Sequence, residues 1–251
     1  MSKTNQPLSN VTDGYCISQV TTNWAGARDA SAGTGVTNNS QAVGIAIAVA
    51  KGTNRSGADQ WTIQRTFLAF DTSQISSSFS VFSAQLQLNN NSGSYPNADV
   101  ILVKSNKPDL STGLAAADFD DLPGFSTGNT MDGNVTDYSS VFASGSWPTN
   151  DQSGLNIDLN AAAITDIKSG DVLSIAIINY NYDYKNIEPS AGHSEGSGIY
   201  FAETSVGGNK PNLTIKYGFN HRVLGVDHRF MAKLVGVADE KIKKVFSKAS
   251  P

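Results

Sequence analysis

WTIQRTFLAFD, residues 61–71, is rich in β-forming side chains and holds neither Gly nor Pro. In a strand its odd positions, from Trp61 to Ala69, share one face and its even positions the other. The consecutive apolar residues Phe67, Leu68, Ala69 and Phe70 therefore need cover on both faces. That makes this the middle strand of a sheet. Arg65 and Asp71 flank the apolar run and are expected where the strand meets polar surroundings.

Working outward, residues 42–50 (AVGIAIAVA) read as a small-residue apolar strand and 172–180 (VLSIAIINY) as a second buried one. Residues 81–88 alternate, with Phe82, Ala84, Leu86 and Leu88 on the buried side and Ser83, Gln85 and Gln87 opposite. Further strands are expected at 15–22, 99–104, 199–202 and 213–217, and a short one carries Leu155, Ile157 and Leu159. Tyr180, Tyr182 and Tyr184 fall on one face of an extension of the 172–180 strand. Helix is confined to connectors. Residues 114–122 read as a short helix capped by Ser111 or Thr112. Asn160 starts a turn in which Ile164 and Ile167 share a face, ended by Lys168 and Gly170. About eight to ten strands separated by turn clusters predict an all-β, antiparallel jelly-roll β-sandwich with short helical connectors and a C-terminal helical tail. Within it, strands near residues 65 and 215 are expected to pair. The divisions are an extended arm (1–14), a sandwich (15–217) and a basic tail (218–251).

Charged residues make up 16% of the chain, so Asn, Ser, Thr and Gly dominate its polar surface. The net charge of −4 argues against nucleic-acid binding but conceals an asymmetry. Residues 1–217 carry 11 basic and 19 acidic side chains, whereas 218–251 carry 7 and 3, so the body is −8 and the tail +4. The single Cys16 excludes a disulfide within one chain and reads as a small buried apolar residue. MSKTNQPLSN lacks the apolar core of a secretory signal, and no stretch reaches the length of a membrane span.

RTFLAFD (65–71), then SAQLQL (83–88), then IYFAET (199–204) and KPNLTIKY (210–217), in that order, resemble the DNRLRE-type β-sandwich modules. Those are jelly rolls related to carbohydrate-binding modules. Trp147, the Ile157-Asp158-Leu159 strand and Gly170 fall where such modules have a Trp, a short strand and a turn. The family's Arg-Glu pair is replaced here by Ala202-Glu203. The resemblance covers roughly residues 40–217 and implies a jelly-roll body that serves either as a binder or as a structural unit. The tail carries a second resemblance. Val223-Leu224-Gly225-Val226 recurs 11 residues later as Leu234-Val235-Gly236-Val237, and Val245-Phe246 begins a degenerate third copy. This is similar to the Gly-Val undecad repeats at the end of phage structural proteins. The period keeps Met231 and Ile242 on one side of a near-helical path.

Chemistry finds little to work with. Gly192-His193-Ser194-Glu195-Gly196 matches the nucleophile-elbow pattern, but the motif needs a strand before it and a helix after it. Here a polar loop precedes and a strand follows. His193, His221 and His228 lack the carboxylates of a metal or base site, and Asp118, Asp120 and Asp121 lack the Gly and Glu of a calcium loop. No enzymatic activity, cofactor or metal is expected. Trp24, Trp61, Trp147, Tyr180, Tyr182 and Tyr184 are the rings available for a sugar platform, with Tyr182 and Tyr184 nominated for glycan contact.

The sequence thus points to a bacteriophage virion structural protein, made in the host cytoplasm and displayed on a head or tail. Its expected partners are copies of itself and other virion proteins, with neither nucleic acid nor membrane involved. Val226, Phe230, Val237, Ile242, Val245 and Phe246 are the expected assembly residues. The alternative is a free-standing carbohydrate-binding module whose partners are surface glycans.

Overall fold

β5 (Asp59–Asp71) is the strand on which both cores are built. Its odd residues Trp61, Ile63 and Phe67 enter one apolar cluster, and its even residues Leu68 and Phe70 enter another. The alternation read from the sequence holds, and the strand is covered on both faces. The computed structural model describes residues 2–5, 13–38, 42–75, 79–91, 98–148, 154–205, 208–219, 222–223 and 226–227.

The fold is an all-β, antiparallel sandwich. One sheet has the order β1 (Ser2–Asn5), β11 (Asn212–Phe219), β6 (Phe79–Asn89), β8 (Gly154–Leu159). The other runs β10 (Ser194–Tyr200), β4 (Ala42–Thr53), β5, β2 (Asp13–Val20), β3 (Gly35–Thr37), and β5 also holds β9 (Val172–Asn179), which pairs with β7 (Val100–Lys104). From β5 to β9 successive strands alternate between the sheets, which is the jelly-roll pattern. Between the sheets lies an aliphatic core that includes Leu68, Leu86, Leu102, Ile157, Ile175, Ile177, Leu213 and Ile215. Each such side chain contributes roughly 1.5–3 kcal/mol when fully buried.

The second sheet forks at Arg65. Along one edge β5 pairs with β2. Along the other, residues 59–64 pair with β4 and residues 66–71 with β9. Where β4 peels away, the carbonyls of Ile45 and Ala46 lose their ladder partners. Side chains replace the ladder: Gln64 Nε2 donates to Ile45 O at 2.6 Å and Thr66 Oγ1 to Ala46 O at 2.7 Å. Gly14 in β2 is required by close approach, because a Cβ there would lie 2.1 Å from Thr37 O.

Two helices serve as connectors. α1 (Trp24–Arg28) is capped by Asn23, whose side chain accepts from Gly26 N. α2 (Ala161–Ser169) follows the sequence reading: Asn160 accepts from Ala162 N and Ala163 N, Ile167 is buried, and Gly170 ends the helix. β8 alternates between exposed and buried residues as expected.

Several expectations are corrected. β5 and β11 lie in opposite sheets, so residues 65 and 215 do not pair. The helix expected over 114–122 is one 3-10 turn, Ala116–Asp120, and Ser111 and Thr112 instead bond to Asp109. Phe82 is exposed because the pairing of β6 with β11 shifts register between Lys216 and Tyr217 and carries Phe82 out of the alternation. In the tail, β12 (Arg222–Val223) and β13 (Val226–Asp227) form a small hairpin where helix was expected. The arm is more than a loose end, since residues 2–5 extend the first sheet as β1. β2 begins at Asp13 and β11 runs to Phe219, each two residues beyond the expected sandwich bounds of 15 and 217.

Candidate functional site

The outer face of the forked sheet is roofed by α1, the 116–120 turn, the loops through residue 135 and a single π-helical turn, Tyr180–Tyr184. The π turn replaces the straight extension expected for the three tyrosines. It closes with Lys185 N donating to Tyr180 O, and Asn179 Oδ1 accepts from Tyr182 N at its start. The extra residue in the turn sends both Asp183 and Tyr184 inward.

Asp183 is the anchor of the roof. Arg65 grips it with two bonds, Nε to Oδ2 and Nη2 to Oδ1, both 2.7 Å. The remaining Arg65 donors reach Phe119 O at 2.8 Å and Arg28 O at 3.1 Å. Arg28 donates through Nε to the backbone carbonyl of Asp183 and through Nη1 to Asp29 Oδ1. Asp29 Oδ2 in turn accepts from Gly128 N. Arg28, Arg65 and Asp183 are all completely buried, and Phe119 and Phe125 lie over the guanidiniums. Burial lowers the pKa of Arg28, with Asp183 acting against that shift. The expectation that Arg65 sits at a polar margin is therefore wrong; it is at the centre of a buried ionic cluster. Asp71 behaves closer to expectation, accepting from Ser73 N in the turn that follows β5.

Outside this anchor, the rim between β4, β5 and β10 gathers the other polar and aromatic groups. Trp61 Nε1 donates to Glu188 Oε1 at 3.0 Å, and Lys51 Nζ reaches the same oxygen at 2.7 Å while lying over the Trp61 ring. The Lys51 hydrogen bond leads in holding the Glu188 carboxyl below its usual range. Tyr182 lies against His193 with ring centres 4.5 Å apart, His193 Nε2 is 3.5 Å from Glu195 Oε2, and Asn179 Nδ2 donates to Glu195 Oε1. Burial, with Glu195 second, raises the Tyr182 phenol.

The nominated residues fare unevenly. Tyr184 is a core residue: it is 2% exposed, stacks on Tyr180 and donates its hydroxyl to Asp137. It has no ring face to offer a glycan. Tyr182 is half-buried. Trp24 and Trp147 are buried, with indole N–H groups bonded to Asn186 Oδ1 and Ala98 O, and Trp61 is buried at the rim. The six-ring platform is thus mostly core. Ser194 opens strand β10, so the elbow-like pattern has no helix after it. Asp118 Oδ2 accepts from Ala115 N and Asp121 Oδ1 from Asn106 Nδ2, which makes them turn-forming groups. Among the described residues no group of three or more His, Cys, Asp or Glu converges to hold a metal ion. Cys16 is buried, its thiol donates to Ala115 O, and burial pushes that thiol up to about 12.

Of the assembly residues, Val226 lies in β13, while Phe230, Val237, Ile242, Val245 and Phe246 lie outside the described residues, as do His221 and His228. Among the described residues no helix is long and apolar enough to cross a membrane.

The buried cluster could have been found from the sequence. Arg65 occupies an odd position between Ile63 and Phe67, on the Trp61 face of a strand buried on both sides. In a chain so poor in charge, an arginine there requires a buried carboxylate partner. Asp183 itself carried no such signal, because a π turn has no sequence period to read. No known family model matches the chain, and no curated protein does.

Proposed function

We propose that the chain is a non-enzymatic structural protein of a bacteriophage particle, a DNRLRE-like sandwich displayed on the particle and held to its neighbours by its terminal segments. The observation that carries this is the 11-residue Gly-Val repeat in a basic segment directly after the last sandwich strand. The body is acidic and the segment basic, so their charges attract. Exposed ion pairs contribute only about 0–1 kcal/mol each. Adhesion therefore falls to Val226, Phe230, Val237, Ile242, Val245 and Phe246, at roughly 1.5–3 kcal/mol for each large side chain fully buried.

Deleting residues 221–251 is expected to leave a folded sandwich that no longer joins particles or oligomers. Replacing Lys241, Lys243, Lys244 and Lys248 alone is expected to weaken assembly slightly and make it less salt-sensitive. Sedimentation of the variants with and without particles reads both effects. A truncated chain that assembles normally, or that cannot fold, would show that the segment belongs to the core of its own sandwich.

A further inference from the structure

We infer that the Asp132–Gly133 pair is a site of spontaneous covalent modification, at which the Asp132 side chain closes onto the Gly133 nitrogen and reopens as isoaspartate. The reaction is intramolecular, so it depends on a carboxyl held beside a reachable backbone N–H. Glycine suits it as the following residue, because no Cβ crowds the attacking nitrogen. Gly133 N attacks Asp132 Cγ. The new C–N bond forms, the Cγ–O bond breaks, and the oxygen leaves as water with the carboxyl and amide protons. Water then opens the cyclic imide. Attack at Cγ restores aspartate, whereas attack at the main-chain carbonyl of Asp132 leaves the chain running through Cβ and Cγ. One water leaves and one returns, so the change needs neither oxidant nor cofactor.

The chain holds two Asp-Gly pairs, and the fold treats them oppositely. Asp13 is 1% exposed, and its Oδ2 accepts from Ala202 N at 2.7 Å. Gly14 is held in the ladder opposite Phe67, with Thr37 O closing over its Cα. No room is left there for the ring. Asp132 and Gly133 are both exposed, in the roof loop between Met131 and Asn134. Gly133 adopts a φ of +71°, and nothing lies within 4 Å of where a Cβ would sit. The bonds that close this turn bypass the reacting atoms: Asn134 N and Val135 N both donate to Met131 O, and Asp132 N donates to Thr130 Oγ1. Among the described residues, no group donates to the Asp132 carboxylate and Gly133 N donates to no acceptor. The consequence falls on the roof. Met131 is buried, and its N donates to Tyr184 O at 2.8 Å, tying the loop to the π turn. Isoaspartate adds a backbone atom inside the turn that Met131 O closes, which disturbs the bonds from Asn134 N and Val135 N. The inference goes beyond the assembly reading and does not depend on it.

The full-length protein, kept warm at neutral pH and sampled over weeks, supplies the test. Labelling by a protein isoaspartate methyltransferase counts the modified sites, and tandem mass spectrometry of the peptides locates them. Isoaspartate is expected to accumulate at residue 132 while residue 13 stays at background. The Met131 amide of the aged protein should exchange faster than that of fresh protein. Asp132→Glu keeps the charge but enlarges the ring that must close by one atom, and it should abolish the signal. In urea the fold no longer separates the two pairs, so both should react at similar rates. A folded chain that gains no isoaspartate at 132, over a period in which the urea-unfolded chain does, overturns the inference, because the turn then holds the carboxyl away from the nitrogen. Equal accumulation at residues 13 and 132 of the folded chain overturns it as well, and an unchanged Met131 amide in the aged protein overturns the link to the roof.

Discussion

The two cores on either side of β5 treat buried charge in opposite ways. Between the sheets the packing is mostly aliphatic, and Asp13, in register with Leu68 at its border, is paired with no arginine among the described residues. Burial above all, then repulsion from Glu203, pushes its pKa up to about 8, so it keeps its proton near neutral pH. Under the roof aromatic rings such as Trp24, Phe67 and Phe119 take a larger share of the packing, and Asp183 is gripped by Arg65 and Arg28. A regular sheet face assembles by burying apolar area alone. A roof of turns has no ladder of its own, and directional ionic bonds hold it in register with the strands.

That contrast can be broken from either side. The largest swing is expected at Asp13. The folded chain retains a proton that the unfolded chain, with a carboxyl near 3.8, has released. Stability should therefore fall as pH climbs from about 4 towards 8 and level off above that. Denaturant titrations across this range should show the slope, and Asp13→Asn, which can still accept from Ala202 N, should flatten it. A wild-type profile without slope would mean that the carboxyl is ionised and the two cores do not differ.

Next comes Asp183→Ala, which leaves two buried guanidiniums without their carboxylate and should cost about 3–5 kcal/mol. Hydrogen exchange should then accelerate first at the roof amides that rest on it, such as those of Gly128 and Met131. Leu86→Ala in the other core should cost a similar 2–5 kcal/mol but weaken protection across both sheets together. If the two variants share one exchange pattern, the roof is not a separate cooperative unit. The smallest effect is expected at the start of α2, whose buried face packs into the core between the sheets. Asn160→Ala removes the α2 cap and should cost about 0.5–2 kcal/mol in a thermal or urea melt, with no change at the roof.

The same division explains what could be read in advance. Period-two patterns placed β5 and β8, and local capping chemistry placed α2, because each is dictated by residues within a few positions of one another. The roof is dictated by contacts between residues far apart, such as Arg65 with Asp183 and Arg28 with the π turn. Nothing near Asp183 in sequence announces its partner. The fork is similar: the composition of β5 demanded two covered faces but could not say that β4 and β9 divide one of its edges. Phe82 was misplaced by a single register shift, which moves one side chain without disturbing the composition of the strand.

The position of β11 has a mechanical consequence. The chain leaves the sandwich from this strand, which is held in register by β6 on one edge and β1 on the other. A pull on the C-terminal segment directed along the strand would load those two rows of hydrogen bonds in shear, all at once, instead of opening them one after another. The force would pass first into the four-stranded sheet, and from there through the core between the sheets towards the roof. A body tethered in this way could bear strain at its attachment while the Arg65–Asp183 anchor on its far side stayed at rest.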